Sequence, residues 1–274
     1  MEMTNEEMPK LGLGTWDLRG DICIENVRAA LDMGYRHIDT AAMYGNEEEV
    51  GEGIRRSSVD RDDVFLVTKV WYTNLDAEGI KDSAEQSLQR LETSYIDLLL
   101  MHWPHETVPL RESLGALMEV KEQGKSRHIG VSNFTVELME KATQYSDPSI
   151  LCNQVEYHPY LSQKPVLDCC TQNGAALVAY CPLARGRIFG DSTLQQIGEK
   201  YGKTEAQVAL RWLVQQDGVA AIPRSSSQEH IRENAEIFDF RLSDEDMENI
   251  FALEEGGRVV TEDRVPIPTP DWDT

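Results

Sequence analysis

The stretch GYRHIDTAAMYGNE (residues 34–47) places an aspartate and a tyrosine at the exit of a short apolar strand. The predicted strand, residues 35–38, ends at Asp39, and three small residues then lead the chain towards Tyr44. Tyrosine has an unperturbed pKa of about 10, so it needs a neighbouring positive charge to deliver a proton near neutral pH. The stretch therefore predicts a lysine close to Tyr44 in the folded chain.

The candidate lysine lies in the next apolar run, VFLVTKVW (residues 64–71). This run has the β-branched, apolar composition of a buried strand, and Lys69 is its only charged residue. An aspartate and a lysine at the ends of neighbouring strands can also form a buried ion pair with a purely structural role. That alternative weakens because further polar residues follow other predicted strands.

Strand and helix patterns alternate along all 274 residues without a break in composition. Strands are predicted at residues 10–16, 35–38, 64–71, 95–101, 127–131, 151–155, 175–180 and 219–222. Helices are predicted at residues 23–33, 47–56, 77–91, 110–123, 136–145, 165–173, 192–201, 204–215, 228–235 and 243–253. Eight strands alternating with at least eight helices indicate an α/β protein, a single (β/α)8 TIM barrel over residues 1–274.

A doubly wound open sheet is the alternative fold. The turn GLGT (residues 12–15) lacks the third glycine and the later acidic residue of a dinucleotide-binding fingerprint. Polar residues also lie at or just beyond the carboxyl ends of successive predicted strands: Asp39, Lys69, His102, Ser132, Asn133, Gln154 and Tyr180. In a closed barrel these ends meet at one mouth, which favours the barrel as the scaffold of a site.

Composition excludes several classes of protein. The net charge of −22 argues against nucleic acid or an anionic membrane as a partner, because both require a basic surface. No apolar run approaches the roughly 18 residues of a membrane span, and no leader pattern is found. The five cysteines form no C-x-x-C pair, so we expect reduced thiols, no metal and a cytoplasmic protein.

The chain has 48 acidic and 26 basic residues, and this acidic excess has two interpretations, an ordinary solvated surface or adaptation to a salt-rich cytosol. In the second case, molar salt screens the mutual repulsion of the carboxylates and stabilises the compact state. We therefore expect the melting temperature to rise between low and molar KCl. Thermal melts across a KCl series test this, and an unchanged melting temperature excludes the halophilic interpretation.

Several motifs occur in order along the chain and make a family resemblance specific. Besides Asp39, Tyr44, Lys69 and His102, they are GVSNF (130–134), NQVEYHP (153–159), YCPL (180–183) and IPRS (222–225). From about residue 8 to its end, the chain resembles the aldo-keto reductases. The short connection after His102 and the closing PDWD (270–273) look like the bacterial 2,5-diketo-D-gluconate reductase and methylglyoxal reductase group.

The resemblance implies a catalytic set that agrees with the residue chemistry. Tyr44 donates a proton to the carbonyl oxygen, and Lys69 favours the phenolate and so lowers the pKa of Tyr44. Asp39 compensates the buried lysine charge, and His102 hydrogen-bonds the carbonyl oxygen. A positioned general acid of this kind contributes about 10²–10⁴-fold in rate.

The resemblance also implies NADPH as the cofactor, with NADH usable. Planar amides, a hydroxyl and an aromatic ring suit the orientation of a nicotinamide. The implied cofactor residues are Ser132, Asn133, Gln154 and Tyr180 at the nicotinamide, Leu183 at the pyrophosphate, Arg224, Ser225 and Ser226 at the adenosine phosphate, and Glu233 and Asn234 at adenine. Arg224 replaces the family's usual lysine, and His230 replaces the arginine that neutralises the 2′-phosphate.

The implied substrate is a small carbonyl compound. Trp16, Trp71 and Trp103 are expected at the mouth, and Trp272 can fold over it from an extended, proline-rich tail at residues 255–274. Ordinary packing is the alternative for any single tryptophan. Short loops favour aldehydes, α-dicarbonyls or keto-sugars, and the family resemblance favours a monomer.

Two other functions are compatible with parts of the sequence. A Schiff-base aldolase would use Lys69 as its nucleophile, and a nicotinamide-binding sensor or regulatory subunit would bind the cofactor without turnover. Neither accounts for Tyr44, Ser132 and Gln154 together. The sequence leaves open the physiological substrate, the direction of reaction and the oligomeric state.

Overall fold

The computed structural model describes residues 2–4, 8–145, 150–261 and 267–272. The barrel strands are β1 (Leu13–Gly14), β2 (His37–Asp39), β3 (Phe65–Val70), β4 (Ile96–Met101), β5 (Ser126–Ser132), β6 (Ile150–Glu156), β7 (Ala176–Tyr180) and β8 (Val219–Ala221). The helices are α1 (Gly20–Asp32), α2 (Glu47–Arg56), α3 (Ala77–Leu91), α4 (Leu110–Glu122), α5 (Val136–Tyr145), α6 (Lys164–Gln172), α7 (Ser192–Tyr201), α8 (Glu205–Gln215), α9 (Gln228–Ala235) and α10 (Asp244–Phe251).

The eight strands are parallel and neighbour one another in chain order. The ends of the sheet then meet, because Gly12 N donates to Ala221 O at 2.9 Å and Ala221 N donates to Lys10 O at 2.8 Å. Parallel bridges at Leu11–Ala221 and Gly14–Arg224 complete the closure. The (β/α)8 barrel predicted from the sequence is confirmed, and the open-sheet alternative is wrong.

The first barrel strand is shorter than predicted. Regular pairing covers only Leu13–Gly14, although the backbone from Lys10 onward already bonds across to the eighth strand. A Cβ at Gly12 would lie 2.7 Å from Cγ of His37, so this position requires glycine for the close approach. Two short strands, Met3–Thr4 and Met8–Pro9, pair antiparallel ahead of β1.

Alternation along the strands sends polar residues to the carboxyl end of the barrel interior. Val67 packs inside the barrel, and Lys69, two residues further along β3, points to the same side. Cys152 also packs inside, so Gln154 and Glu156 face inwards above it on β6. The barrel interior is thus apolar in its lower part and polar at the carboxyl ends of the strands.

Two glycines in helices differ in what surrounds them. A Cβ at Gly51 in α2 would lie 2.8 Å from the carbonyl carbon of Leu91, whereas a Cβ at Gly115 in α4 meets no described atom within 4 Å outside its own helix. We expect Gly51→Ala to lower the free energy of unfolding by about 1–3 kcal/mol through overpacking. The matched Gly115→Ala should raise it by about 0.5–1 kcal/mol through helix propensity.

Urea unfolding of the two variants and the parent chain measures both effects. Equal stabilities for the two alanine variants contradict the inferred close approach of α2 to the end of α3.

No helix that the structure describes combines the length and apolar character needed to cross a bilayer.

The predicted tail, residues 255–274, is described only in part. Residues 255–261 contain no helix or strand and pass close to the barrel mouth. Residues 262–266, 273 and 274, which are predicted to belong to the same extended tail, lie outside the described residues.

Candidate active site

The centre of the site is a fully enclosed ion pair between β2 and β3. Lys69 Nζ lies 2.6 Å from Asp39 Oδ1, and their side chains are 0% and 1% exposed. Lys69 also donates to the carbonyl oxygen of Thr40 at 2.8 Å, and Gln154 Nε2 donates to Asp39 Oδ2 at 2.8 Å. Burial lowers the pKa of Lys69, and the Asp39 carboxylate opposes that shift. Each oxygen of the Asp39 carboxylate thus accepts a hydrogen bond, Oδ1 from Lys69 and Oδ2 from Gln154.

Tyr44 is positioned by a turn that is fixed at its far end by Asn46. The turn is a short 3-10 helix, Ala42–Tyr44, which follows β2. Asn46 Oδ1 accepts from the Thr40 hydroxyl at 2.8 Å, and its Nδ2 donates to Thr15 O at 2.8 Å. Sequence reasoning missed Asn46, whose place beside the tyrosine in the opening stretch was the available signal.

Tyr44 lies over the buried pair. Lys69 Nζ is 5.1 Å from the centroid of its ring. Burial, and then the charge of Asp39, raises the pKa of Tyr44 well above its ordinary value. This net direction is opposite to the one expected from Lys69, whose ammonium group donates to Asp39 and to the Thr40 carbonyl oxygen. Tyr44 consequently holds its proton at neutral pH.

His102 follows β4 and packs its ring between two aromatic side chains. The ring centroids lie 5.6 Å from Tyr44 and 5.2 Å from Trp71, both in edge-to-face geometry. Burial, together with the Lys69 charge, holds the pKa of His102 well below its usual range. Its Nδ1 is buried and has no hydrogen-bond partner among the described residues. His102 is therefore a neutral imidazole beside the tyrosine.

Strands β5, β6 and β7 contribute a connected polar group on the other side of the site. The Ser132 hydroxyl donates to Gln154 O at 2.7 Å, and Asn133 Nδ2 donates to His102 O at 2.9 Å. The Tyr180 hydroxyl donates to Asn133 Oδ1 at 2.7 Å. Asn133 adopts a φ of 62°, a left-handed conformation that asparagine tolerates better than most residues. The group is preorganised by the protein itself.

A second group of the predicted residues surrounds the start of α9. Arg224 Nε lies 3.3 Å from Trp16 O, which ties it to the turn after β1. Ser227 caps α9 by accepting from His230 N at 3.4 Å. Asn234 is buried, Glu233 is partly buried, and His230 is exposed. This end of the site combines a cation, hydroxyl groups and a helix N-terminus.

One cavity of about 700 Å³ joins the two groups. It is lined by the predicted residues Trp16, Asp39, Tyr44, Trp71, His102, Trp103, Ser132, Asn133, Gln154, Tyr180, Leu183, Arg224, Ser225, His230, Glu233 and Asn234. Lys69 is enclosed beneath this surface, and Ser226 is exposed without lining the cavity. The structure therefore brings together all the predicted site residues except Ser226.

Part of the lining escaped sequence reasoning. The loop after β7 brings the Arg185 guanidinium to 5.2 Å from the centroid of the Trp16 ring, and both residues line the cavity. Ala184 and Arg185 have φ angles of 47° and 52°, in the left-handed region that glycine usually occupies. Because neither residue is glycine, the sequence did not predict this loop conformation. Other lining residues of this kind are Met43, Cys181, Phe189, Glu205 and Val260.

The tryptophans divide between the mouth and the core. Trp16 is 48% exposed, and Trp103 is buried where the main cavity meets an adjoining hollow of about 520 Å³. Trp272 lines that hollow and stacks under the Arg258 guanidinium, 3.9 Å from its ring centroid. Trp212 instead packs between Tyr157 and Phe251 in the core.

Comparisons with known proteins agree with this architecture. The model of the aldo/keto reductase family matches residues 10–255. The chain is 44% identical over 254 residues to glyoxal reductase of Bacillus subtilis strain 168, covering 92% of this chain and 91% of that protein. It is 39% identical over 269 residues to methylglyoxal reductase DkgB of Escherichia coli O157:H7, covering 97% and 99%. A crystal structure provisionally described as 2,5-diketo-D-gluconic acid reductase B has a TM-score of 0.95 at 44% identity, over 100% of this chain and 98% of that one.

Proposed function

Because the chain belongs to the aldo/keto reductase family, we propose that it reduces small aldehydes, α-dicarbonyls or keto-sugars to alcohols with a nicotinamide cofactor. The observation that carries the proposal is the placement of Tyr44 and His102 on one cavity, directly over the buried pair of Asp39 and Lys69. A proton donor and a neutral hydrogen-bonding ring converge there on the space that a carbonyl oxygen would occupy.

Each of the four residues has a distinct role in the proposed reaction. The reduced nicotinamide, when bound, supplies the hydride that the carbonyl carbon accepts. Tyr44 donates a proton from its hydroxyl to the carbonyl oxygen, and its raised pKa keeps it protonated beforehand. Neutral His102 orients that oxygen without adding a second cation. Lys69, fixed by Asp39, provides positive potential beneath the ring as the hydroxyl loses its proton.

The shape and chemistry of the cavity fit a nicotinamide dinucleotide. A single cavity extends from the catalytic cluster to the start of α9, as an elongated ligand requires. Ser132 and Asn133 supply polar groups at the end of the cavity proposed to bind the nicotinamide. Gln154 would contact the nicotinamide through Oε1, because its Nε2 already donates to Asp39. Arg224 at the other end would bind a phosphate, and the remaining predicted cofactor residues lie between or beside these points.

We propose that NADPH is preferred and NADH is usable. His230 stands exposed at the adenosine end and, when neutral, lacks the charge that would favour a 2′-phosphate. His230→Arg should therefore raise the ratio of kcat/KM for NADPH to that for NADH by about tenfold, the worth of one charge-assisted hydrogen bond. His230→Gln, which adds no charge, is the control. Equal or better kcat/KM with NADH in the parent chain contradicts the NADPH preference.

The reductase proposal is tested by following nicotinamide absorbance with purified protein in molar KCl. The panel is methylglyoxal, benzaldehyde, a keto-sugar acid and xylose, each with NADPH and NADH. Turnover of at least one carbonyl is expected. Cofactor binding without turnover of any of them contradicts the proposal and favours the sensor function.

The remaining expectations are part of the same proposal. We infer a single barrel domain over residues 1–274, a monomer in the cytoplasm, and a small carbonyl compound as its partner. The aldolase alternative is disfavoured because Lys69 is fully enclosed and donates to Asp39 and Thr40. Borohydride trapping with a carbonyl substrate should consequently give no covalent adduct.

A further inference from the structure

Glu156, the last residue of β6, carries a fully buried carboxylate outside the catalytic cluster. Its Oε1 accepts from Val259 N at 2.6 Å and lies 3.0 Å from His158 Nε2. Its Oε2 accepts from Val260 N at 3.0 Å. Two of these three partners are backbone amides more than a hundred residues away in sequence.

A buried carboxylate is costly unless hydrogen-bond donors surround it. Here the donors are the His158 ring and the two amides of the C-terminal segment, which we define as residues 255–261. Bonds from N–H groups to a carboxylate are shorter and stronger than those between neutral groups. Release of the segment would leave the carboxylate with one donor of the three, so Glu156 and the segment hold each other in place.

The residues bonded to Glu156, Val259 and Val260, lie at the end of the site proposed to bind the substrate. Val260 lines the main cavity that contains Tyr44, and it also lines the adjoining hollow with Trp103 and Trp272. Val259 is 8% exposed and packs into the core. The two amides bonded to Glu156 therefore fix the part of the segment that forms a wall of the cavity.

Weaker attachments hold the segment further from the mouth. Glu255 N and Gly257 N donate to Tyr160 O at 3.2 and 3.3 Å. The Glu255 carboxylate lies 3.5 Å from the Arg187 guanidinium, and both side chains are largely exposed, so this pair contributes little. Glu156 differs from them in being buried and in bonding the residues at the cavity itself.

Strand β6 thus carries two anchors on its inner face. Gln154 holds Asp39 of the catalytic pair, and Glu156, two residues later, holds the segment. Successive inward positions on a strand lie about 6.6 Å apart, so the two anchors act on different parts of the cavity. A change at Glu156 should alter the substrate wall and leave the catalytic pair in place.

We propose that Glu156 is a positioning residue that sets substrate selectivity by anchoring the C-terminal segment against the cavity. The proposal goes beyond the reductase function and, for its selectivity part, rests on it. Glu156 does not touch the reacting atoms; it acts through Val260.

The test compares Glu156→Gln with the parent chain. Glutamine has the same shape but only one accepting oxygen, and its NH₂ group would face one of the two amides. We expect the ratio of kcat/KM for phenylglyoxal to that for methylglyoxal to rise by about tenfold, because the wall no longer closes on the smaller substrate. The change should lie in KM, with kcat and the Kd for NADPH within about twofold of the parent values.

Hydrogen exchange of the amides at residues 259 and 260 gives a readout that does not depend on catalysis. Protection is expected in the parent chain and faster exchange in Glu156→Gln. Glu255→Gln makes the same chemical change in the same segment at an exposed position, and it should alter neither exchange nor selectivity.

The outcomes separate the anchor from the reductase function. Equal exchange at these amides in both chains overturns the proposal, whether or not the protein reduces carbonyls. A loss of NADPH affinity or kcat with unchanged selectivity also overturns it, because Glu156 would then serve the cofactor or the catalytic pair. If Glu156→Gln does not fold, Glu156→Asp, which withdraws the carboxylate from the two amides, is measured in the same exchange and selectivity experiments. The same outcomes then support or overturn the proposal.

Discussion

Replacing Tyr44 with phenylalanine is expected to lower kcat for carbonyl reduction by about 10²–10⁴-fold, the usual contribution of a positioned general acid. The substitution removes one hydroxyl and keeps the ring that packs against His102 and lies over Lys69. Because the hydroxyl acts only on the carbonyl oxygen in the proposed reaction, the Kd for NADPH should stay unchanged. Single-turnover measurements with saturating cofactor give the rate of the chemical step directly.

Tyr35→Phe supplies the matched control for this prediction. The Tyr35 side chain is buried, and its hydroxyl donates to Ile231 O at 3.0 Å, away from the cavity lining. Its removal should lower stability by about 1 kcal/mol, the worth of one hydrogen bond, and leave kcat unchanged. A Tyr44→Phe chain that retains parental kcat excludes Tyr44 as the proton donor.

The fold was predictable because its signals are local and repeated. Apolar runs such as residues 64–71 mark buried strands, and helices such as Glu47–Arg56 and Ala77–Leu91 were predicted with their observed bounds. The meeting of Asp39 and Lys69 followed from topology alone, since barrel strand ends converge whatever the loops between them do. This convergence requires only that the strands occur in that order around the barrel.

Contacts between distant segments left no such signal. The bond from Gln154 to Asp39 spans 115 residues, and the one from Val260 to Glu156 spans 104. A glutamate two residues before a histidine does not reveal that its carboxylate will bind the end of the chain. The upward direction of the Tyr44 pKa was likewise not predicted, because it depends on how deeply the fold buries this tyrosine and on the nearby charge of Asp39.

The buried pair of Asp39 and Lys69 leads to the second large expected effect. Asp39→Asn leaves the enclosed ammonium without its counter-charge, and Lys69→Met leaves the carboxylate without its cation. Each single substitution should lower the free energy of unfolding by about 3–5 kcal/mol, because an uncompensated charge stays buried. The double variant contains neither charge and should be more stable than either single variant. Urea unfolding of all four chains gives the coupling energy.

Stability and activity are expected to separate in the double variant. It should recover folding but not carbonyl reduction, since no cation remains beneath Tyr44 to stabilise the developing phenolate. The exposed pair of Glu25 and Arg28, with its charged atoms 2.7 Å apart, is the control, and its coupling energy should be far smaller than that of the buried pair. Additive losses at Asp39 and Lys69 would show that the two charges are not coupled. Parental activity in the double variant would show that the reaction does not need the lysine charge, and the pair would then be a structural element only.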